Sequence, residues 1–560
     1  MPLALAMVLA GRGVTKQTVS AWLDPKISTL MQDPSILTDM DRTAERLAQA
    51  VRGGEKIGIF GDYDVDGACS AAVLHDVLTP LGCDVSIHIP DRFNEGYGPN
   101  LPALLKLKES GCSLIVTVDC GITAHGPIEA AVEAGVEVII IDHHIAGPDL
   151  PKALAVVNPN RLEDDGSYRY LAAAGVCFLV MVALLRLLRN TGHFAETPEP
   201  NLMKSLDLVA LATVCDVVPM EELNRAYIRV GLDVMARRQR EGLAALADVS
   251  RLTSVPDVQA LGFMLGPRIN AGGRIGNSNL GVSLLTTRDP VEAARMAAEL
   301  DALNTRRKSI EQDVTQAAIA QLEGRGKSAV MMAADDGWNQ GVIGISAGRV
   351  KDHFGHPAAV ISVSTTAEGT RIGKASARSI APFRLGAAVI AAQQHGLLIA
   401  GGGHDMAAGF TIDMDKLPEF QDFMNQRAIA DFGTDGPAVE RQVDAPLSAG
   451  AADIALLNWM DKAGPFGSGF PEPRFMLSNA RISGLRTMGA ESAHMAMRIS
   501  DGSGQVDAVL FRSKGTALGA ALMEAQDGRP VHLLGRLNRN RYQGREKVQF
   551  MIEDMQDASP

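Results

Sequence analysis

Cysteine is scarce and confined. The 560-residue chain has six, Cys69, Cys83, Cys112, Cys120, Cys177 and Cys215, and none beyond. They lack the close pairs of a zinc site and the density of a small secreted scaffold, so reduced thiols in or near the core are expected, with a cytoplasmic location. Net positive charge is missing as well. The formal charge is -12, which argues against a chain that coats nucleic acid yet leaves local basic patches open. Long apolar runs are absent. Residues 2–10 are apolar but too short to span a bilayer and follow no basic residue, so they read as the first helix, and no membrane association is expected.

What is present centres on Ile57-Gly58-Ile59-Phe60-Gly61-Asp62-Tyr63-Asp64-Val65-Asp66-Gly67. The apolar run reads as a buried strand and 68–78 as the helix after it, so three carboxylates at alternate positions sit at a strand-to-helix switch. Like charges this close need a cation. The Glu that closes an EF-hand loop does not follow at its spacing. From about residue 45 strands alternate with helices of about a dozen residues, at 57–60, 85–89, 114–118 and 136–141, which predicts a parallel sheet with right-handed crossovers. The third strand runs into Asp119-Cys120-Gly121, the fourth into Asp142-His143-His144, and Asp216 follows an apolar helix over 202–213. In a parallel sheet these strand ends share an edge, so Asp64, Asp66, Asp119 and His143 can converge. A set of carboxylates with an imidazole suits Mn²⁺ or Mg²⁺, and two such ions would hydrolyse a phosphoester.

Further along, 289–322 has helical spacing and reads as one long connecting helix. A second α/β unit follows from about 325 to 440, and Gly464-Pro465-Phe466-Gly467 punctuates a boundary. Between 471 and 550 there are 12 Lys+Arg against 7 Asp+Glu, a local reversal of the overall sign. Arg539, Arg541 and Tyr542 lie in that stretch, where basic groups and aromatics on short strands suit an OB-fold barrel binding single strands.

The ordered series Asp62-Tyr63-Asp64-Val65-Asp66-Gly67, Val118-Asp119-Cys120-Gly121, Asp142-His143-His144 and Asp216 resembles the DHH phosphoesterases. Gly266-Pro267-Arg268-Ile269-Asn270-Ala271-Gly272-Gly273-Arg274 continues the likeness, which covers nearly the whole chain and extends to the exonucleases of that superfamily. The resemblance implies Asp64, Asp66, Asp119, His143 and Asp216 as metal ligands, with Asp119 bridging two ions, and Asp62 and His144 in support near the scissile phosphate. Some members carry His where this chain has Phe60. Arg268, Asn270 and Arg274, expected in a Gly-rich loop, would hold DNA phosphates. Lys374-Ala375-Ser376-Ala377-Arg378 and the loop Gly401-Gly402-Gly403-His404 resemble the DHH-associated domain, with Arg378, the three glycines and His404 holding the strand; relatives often have Gly at 375 and 377.

The expected architecture is an N-terminal helical extension (1–44), a DHH parallel-sheet domain (45–288), a connecting helix (289–324), a DHH-associated α/β domain (325–440), a linker (441–470) and a C-terminal OB-fold (471–560). The expected activity is metal-dependent 5′ to 3′ exonuclease action on single-stranded DNA by a monomer, serving repair and recombination, with a helicase and a single-strand-binding protein as candidate partners. The alternatives are a nano-RNase, a small-substrate phosphatase or pyrophosphatase of the same superfamily, and a non-catalytic replication scaffold.

Overall fold

The computed structural model describes residues 1–91, 95–96, 98–325, 328–434, 436–437, 440–489, 492–542 and 545–558, except the side chains of Arg541, Tyr542 and Arg545. Strands β1 (Lys56–Gly61), β2 (Asp84–His88), β3 (Leu114–Val118), β4 (Glu137–Ile141) and β5 (Ala155–Val157) form a parallel sheet in the order β2-β1-β3-β4-β5. The central strands are buried almost throughout, because parallel sheets are covered by helices on both faces and therefore need continuous apolar runs. The order reverses between β1 and β3. In α/β sheets ligands bind outside the carboxyl ends of the strands at such a reversal.

The helix Ala173–Asn190, with a mean hydropathy of 1.7, is long and apolar enough to cross a membrane, yet 72% of it is buried inside the protein. It packs against the helices Met40–Gly53 and Val65–Leu78 and is a core element. The single helix expected over 202–213 is split: a 3₁₀ turn, Leu202–Ser205, leads into the helix Leu206–Cys215, and Asp216 stands at its end.

Asp289 caps the helix Pro290–Glu323 by accepting hydrogen bonds from the N–H groups of Val291 and Glu292, and Pro290 suits its first turn. At 34 residues it spans about 50 Å. Its Met296 and Leu300 belong to the core of the first unit, its Val314 and Leu322 to that of the second. The second unit has β6 (Met331–Asp336), β7 (Ala358–Thr365), β8 (Arg371–Arg378), β9 (Ala400–His404) and β10 (Ala407–Asp413), in the order β6-β7-β8-β10-β9. Gly401, Gly402 and Gly403, expected in a loop, lie in edge strand β9. Pairing with β10 engages the backbone groups on their inward side.

The C-terminal strands are β11 (Ala445–Leu447), β12 (Phe475–Met488), β13 (His494–Ser500), β14 (Gln505–Leu510), β15 (Val531–Tyr542) and β16 (Arg545–Asp557). β12 pairs with both β13 and β15, closing a barrel in the order β12-β13-β14-β16-β15. The helix Ala517–Glu524 lies between β14 and β15, an OB arrangement. The 441–470 segment differs from a linker. It contributes β11 beside β12 and the helix Ile454–Ala463, whose Leu456, Leu457 and Met460 are buried in a core that runs on from the first unit into the barrel. The N-terminal extension is seated there too, through Leu5, Val8 and Leu9 and an ion pair of 2.8 Å from Arg12 to Asp444.

Candidate metal centre and strand cleft

The chain turns sharply after β1 to bring its carboxylates together. A Cβ on Gly67 would stand 2.4 Å from the Asp62 carbonyl oxygen, so only glycine lets the helix start pass this close. Asp64 caps the Val65–Leu78 helix, its Oδ1 accepting from the N–H groups of Asp66 (2.8 Å) and Gly67 (3.1 Å). Asp66 is buried and accepts from the N–H groups of Ala173 (2.7 Å) and Ala174 (2.9 Å), so the start of the apolar helix holds it. Asp119 follows β3 at φ +60°, a left-handed conformation that aspartate tolerates better than most residues.

His143 lies among these groups. Its Nδ1 faces the Leu171 carbonyl at 3.2 Å. Its Nε2 is 3.3 Å from Asp119, 3.5 Å from Asp216 and 3.8 Å from Asp66. That Nε2 is buried and has no hydrogen-bond partner, which fits a cation ligand: a lone pair facing carboxylates across ion-sized gaps. One ligand atom each from Asp66, His143 and Asp216, and likewise from Asp62, Asp64 and Asp119, come within 4.8 Å of one another.

Burial first, then the charges of Asp66, Asp64, Asp62 and Asp216, push the Asp119 carboxyl well above the carboxylate range. Burial and the charges of Asp66 and Asp64 push Asp216 up to about 8. So much crowded negative charge is relieved by a divalent cation, and the oxygen-rich donors suit Mn²⁺ or Mg²⁺.

Asp142 organises both histidines. It accepts from the N–H groups of His143 (2.7 Å), His144 (3.1 Å) and Ile122 (3.0 Å), and pairs with His144 Nδ1 at 2.7 Å. Although burial opposes it, the bond to Asp142 and that carboxylate's charge raise His144 to about 9. Phe60 supplies no ligand and is buried in the apolar layer with Leu104 and Cys120.

The residues expected to hold DNA divide into two groups. Arg274, Arg378, Gly401 and Gly403 line one cavity of about 560 Å³ between the two α/β units, together with Lys374 and Ser376. Arg274 donates to the Gly341 carbonyl at 2.9 Å and Arg378 to Ser376 Oγ at 3.1 Å. Gly403 is needed for close approach: a Cβ there would stand 2.4 Å from the Ala407 carbonyl oxygen. His404 is exposed at the strand end, outside that lining.

Arg268, Asn270 and Arg274 lie on the helix Gly266–Ile275 rather than in a loop, because the small residues that resemble a turn are packing contacts: a Cβ on Gly273 would stand 2.7 Å from the Tyr63 carbonyl oxygen. Arg268 is bonded to Asp301 at 2.9 Å and to the Met264 carbonyl. Asn270 lines a groove of about 2420 Å³ that runs from Cys215 and Val217, beside Asp216, to Arg539 on the barrel. Arg539 is itself paired with Asp461 (2.6 Å) and Glu546 (2.9 Å). The side chains of Arg541 and Tyr542 lie outside the described residues.

Three stretches match known domains in order: the DHH family, N-terminal domain, over residues 56–213, the DHHA1 domain over 316–430 and the RecJ OB domain over 443–554. The chain is 36% identical over 539 residues to the single-stranded-DNA-specific exonuclease RecJ of Salmonella typhimurium, covering 93% of this chain and 90% of that one. The chain belongs to the RecJ family. RecJ of Bacillus subtilis is 35% identical over 555 residues, which cover 98% of this chain and 67% of the relative. RecJ from Thermus thermophilus, crystallised in complex with Mn²⁺, matches with a TM-score of 0.81 at 28% identity and covers all of this chain and 76% of its own.

Sequence reasoning left three features of this RecJ-family site unassigned. Asp142 was visible beside the histidines, but its bond to His144 appears only when the loop folds back on itself. Lys374 and Ser376 were visible beside Arg378, and strand alternation could have flagged them: residues 374, 376 and 378 share one face of β8. The Leu171 carbonyl carried no signal, since any residue supplies one.

Proposed function

We propose that this chain hydrolyses single-stranded DNA from its 5′ end, with Asp64, Asp66, Asp119, His143 and Asp216 holding two divalent cations, Mn²⁺ or Mg²⁺. The observation that carries the reading is the buried, unpartnered Nε2 of His143 facing three carboxylates at the sheet's switch point. When bound, the cations supply a water-derived nucleophile at neutral pH and charge stabilisation for the leaving oxygen. Asp142 anchors the His144 ring through Nδ1, which leaves Nε2 to orient the scissile phosphate or, when protonated, to donate to the leaving oxygen. Asp62 supports Asp64 and Asp119 from the β1 turn. Arg274, Arg378 and the glycines of β9 grip phosphates across the cleft, and the groove past Asn270 carries the strand toward the barrel.

The closed barrel and long bridging helix favour a long substrate over the short ones of nano-RNases and small-substrate phosphatases. A cleft fitted to one strand requires unwound DNA, which a helicase supplies and a single-strand-binding protein protects, in repair and recombination. The six free thiols, five of them buried, suit a reducing cytoplasm, where the chain acts as a monomer.

The test is a time course on single strands labelled at the 5′ or the 3′ end, with Mn²⁺, Mg²⁺ or chelator. Immediate short product from the 5′ label alone, and only with metal, is the expected result. Early product from the 3′ label, or metal-independent release, would overturn it.

A further inference from the structure

The loop that carries Asp216 is strained. Val217 has φ +60° and Glu222 φ +34°, and a β-branched residue in that region persists only where its surroundings hold it there. Much of that hold comes from outside the α/β domain. The Met220 N–H donates to the Ser468 carbonyl at 2.8 Å. Gly467 leaves space for the Met220 side chain, since a Cβ there would stand 2.5 Å from its Cε. Gly469, at φ +70°, rests on Pro219, 3.4 Å from where its Cβ would be.

Arg225, one turn into the helix Glu222–Ala236, fastens the same segment. It is 1% exposed. Nη2 donates to the carbonyls of Ala463 (2.6 Å), Gly464 (2.9 Å) and Trp22 (3.1 Å), and Nη1 to that of Pro465 (3.2 Å). The guanidinium carbon is 4.0 Å from the Trp22 ring centre and 5.3 Å from that of Phe470. No described carboxylate pairs with it, so carbonyl dipoles and ring faces carry the buried charge, and a planar fork is required to reach all four carbonyls. Asn224 completes the hold by donating to the carbonyls of Pro219 (2.9 Å) and Tyr170 (2.6 Å). Tyr170 directly precedes Leu171, whose carbonyl orients His143.

We infer that residues 464–470, clamped by Arg225, position Asp216, so that the metal centre is completed by a segment of the C-terminal unit. The inference rests on the metal reading above. Arg225 is a positioning residue, and the C-terminal unit supports metal binding as well as strand binding. Outer groups that orient metal ligands set affinity by roughly ten- to hundredfold.

The experiment is calorimetric titration of Mn²⁺ into the full chain as wild type, Arg225→Met, Arg225→Lys and Gly467→Ala, with near-ultraviolet circular dichroism to verify folding. Gly467→Ala adds one methyl that meets the flexible end of Met220, so it decides the matter if the arginine variants do not fold. Folded variants are expected to bind Mn²⁺ at least about tenfold more weakly, with kcat on a short oligonucleotide restored by excess Mn²⁺ and KM unchanged. Arg225→Lys should recover little, because a point charge cannot span the carbonyls. Wild-type Mn²⁺ affinity in the folded variants, with a change only in KM for long strands, would overturn the inference and leave the metal reading standing. A wild type that binds no Mn²⁺ would overturn both.

Discussion

His143 directs its Nε2 at Asp119 Oδ1 across 3.3 Å while its Nδ1 faces the Leu171 carbonyl. Its proton is therefore assigned to Nδ1, and the lone pair of Nε2 meets a carboxylate that burial already disfavours. Replacing Asp119 should separate function from stability. Because its folded value is raised, the ionised carboxyl costs stability that is lost as pH rises from the ordinary carboxylate range toward the folded value. Asp119→Asn should abolish Mn²⁺ binding and lower hydrolysis at least about a hundredfold. In chelator it should be the more stable protein at pH 8, by roughly 1–3 kcal/mol. Urea melts of both proteins in chelator measure this, and a less stable variant would contradict it.

The pair of Asp142 and His144 gives a pH window. Asp142 is held below the ordinary carboxylate value: burial opposes this, but its bonds to His144 and to backbone N–H groups outweigh it. Its stabilisation is thus present above the ordinary carboxylate value and lost as pH falls through the lowered one. His144 is raised to about 9, so its contribution is complete below the ordinary imidazole value and lost as pH climbs through about 9. Proton NMR of the metal-free chain should show His144 titrating near that upper limit, and Asp142→Asn should return it to the ordinary imidazole range. An unchanged titration would show that Asp142 is not the cause.

Two arginines read alike in the sequence should behave differently. Arg378→Ala removes a cation from the interdomain cavity and should weaken single-strand binding by about 1.5–3 kcal/mol. It should also flatten the slope of log K against log salt by about 0.7. Arg268→Ala breaks the bond to Asp301 on the long helix, and should lower the melting temperature while leaving DNA affinity near wild type. Fluorescence anisotropy across a salt series, beside melting curves, distinguishes them. A reversed pattern would exchange their roles.

Gly67→Ala removes no ligand, yet its methyl would meet the Asp62 backbone at 2.4 Å. The turn must move, so Mn²⁺ affinity should fall although every donor remains, at a cost of about 1–3 kcal/mol in stability. Calorimetry showing wild-type Mn²⁺ affinity would contradict it.

The chain's acids were legible because each closes an apolar run, and a parallel sheet brings the ends of such runs to one edge. The helix Gly266–Ile275 was not legible, because glycines that look like turn formers are there for close packing, Gly266 against Cys215, Gly272 against Asn277 and Gly273 against Tyr63. Strand β9 was hidden likewise. A glycine run reads as a loop until its partner strand, β10, supplies the hydrogen bonds.

Local pattern was enough for the three-unit order, the sheet, and the choice of carboxylates and imidazoles that could meet a cation, since strand periodicity and the residue after each strand are short-range properties. Which cations are tied up in ion pairs and which line the interdomain cavity was settled by long-range packing instead. Arg268 is held by Asp301, 33 positions away, and Arg539 by Asp461, 78 positions away, whereas Arg274 and Arg378 line a shared cavity. The support of Asp216 by residues 464–470, from nearly half the chain's length away, has the same origin. Pairing between distant residues depends on how faces pack, and no local pattern encodes that.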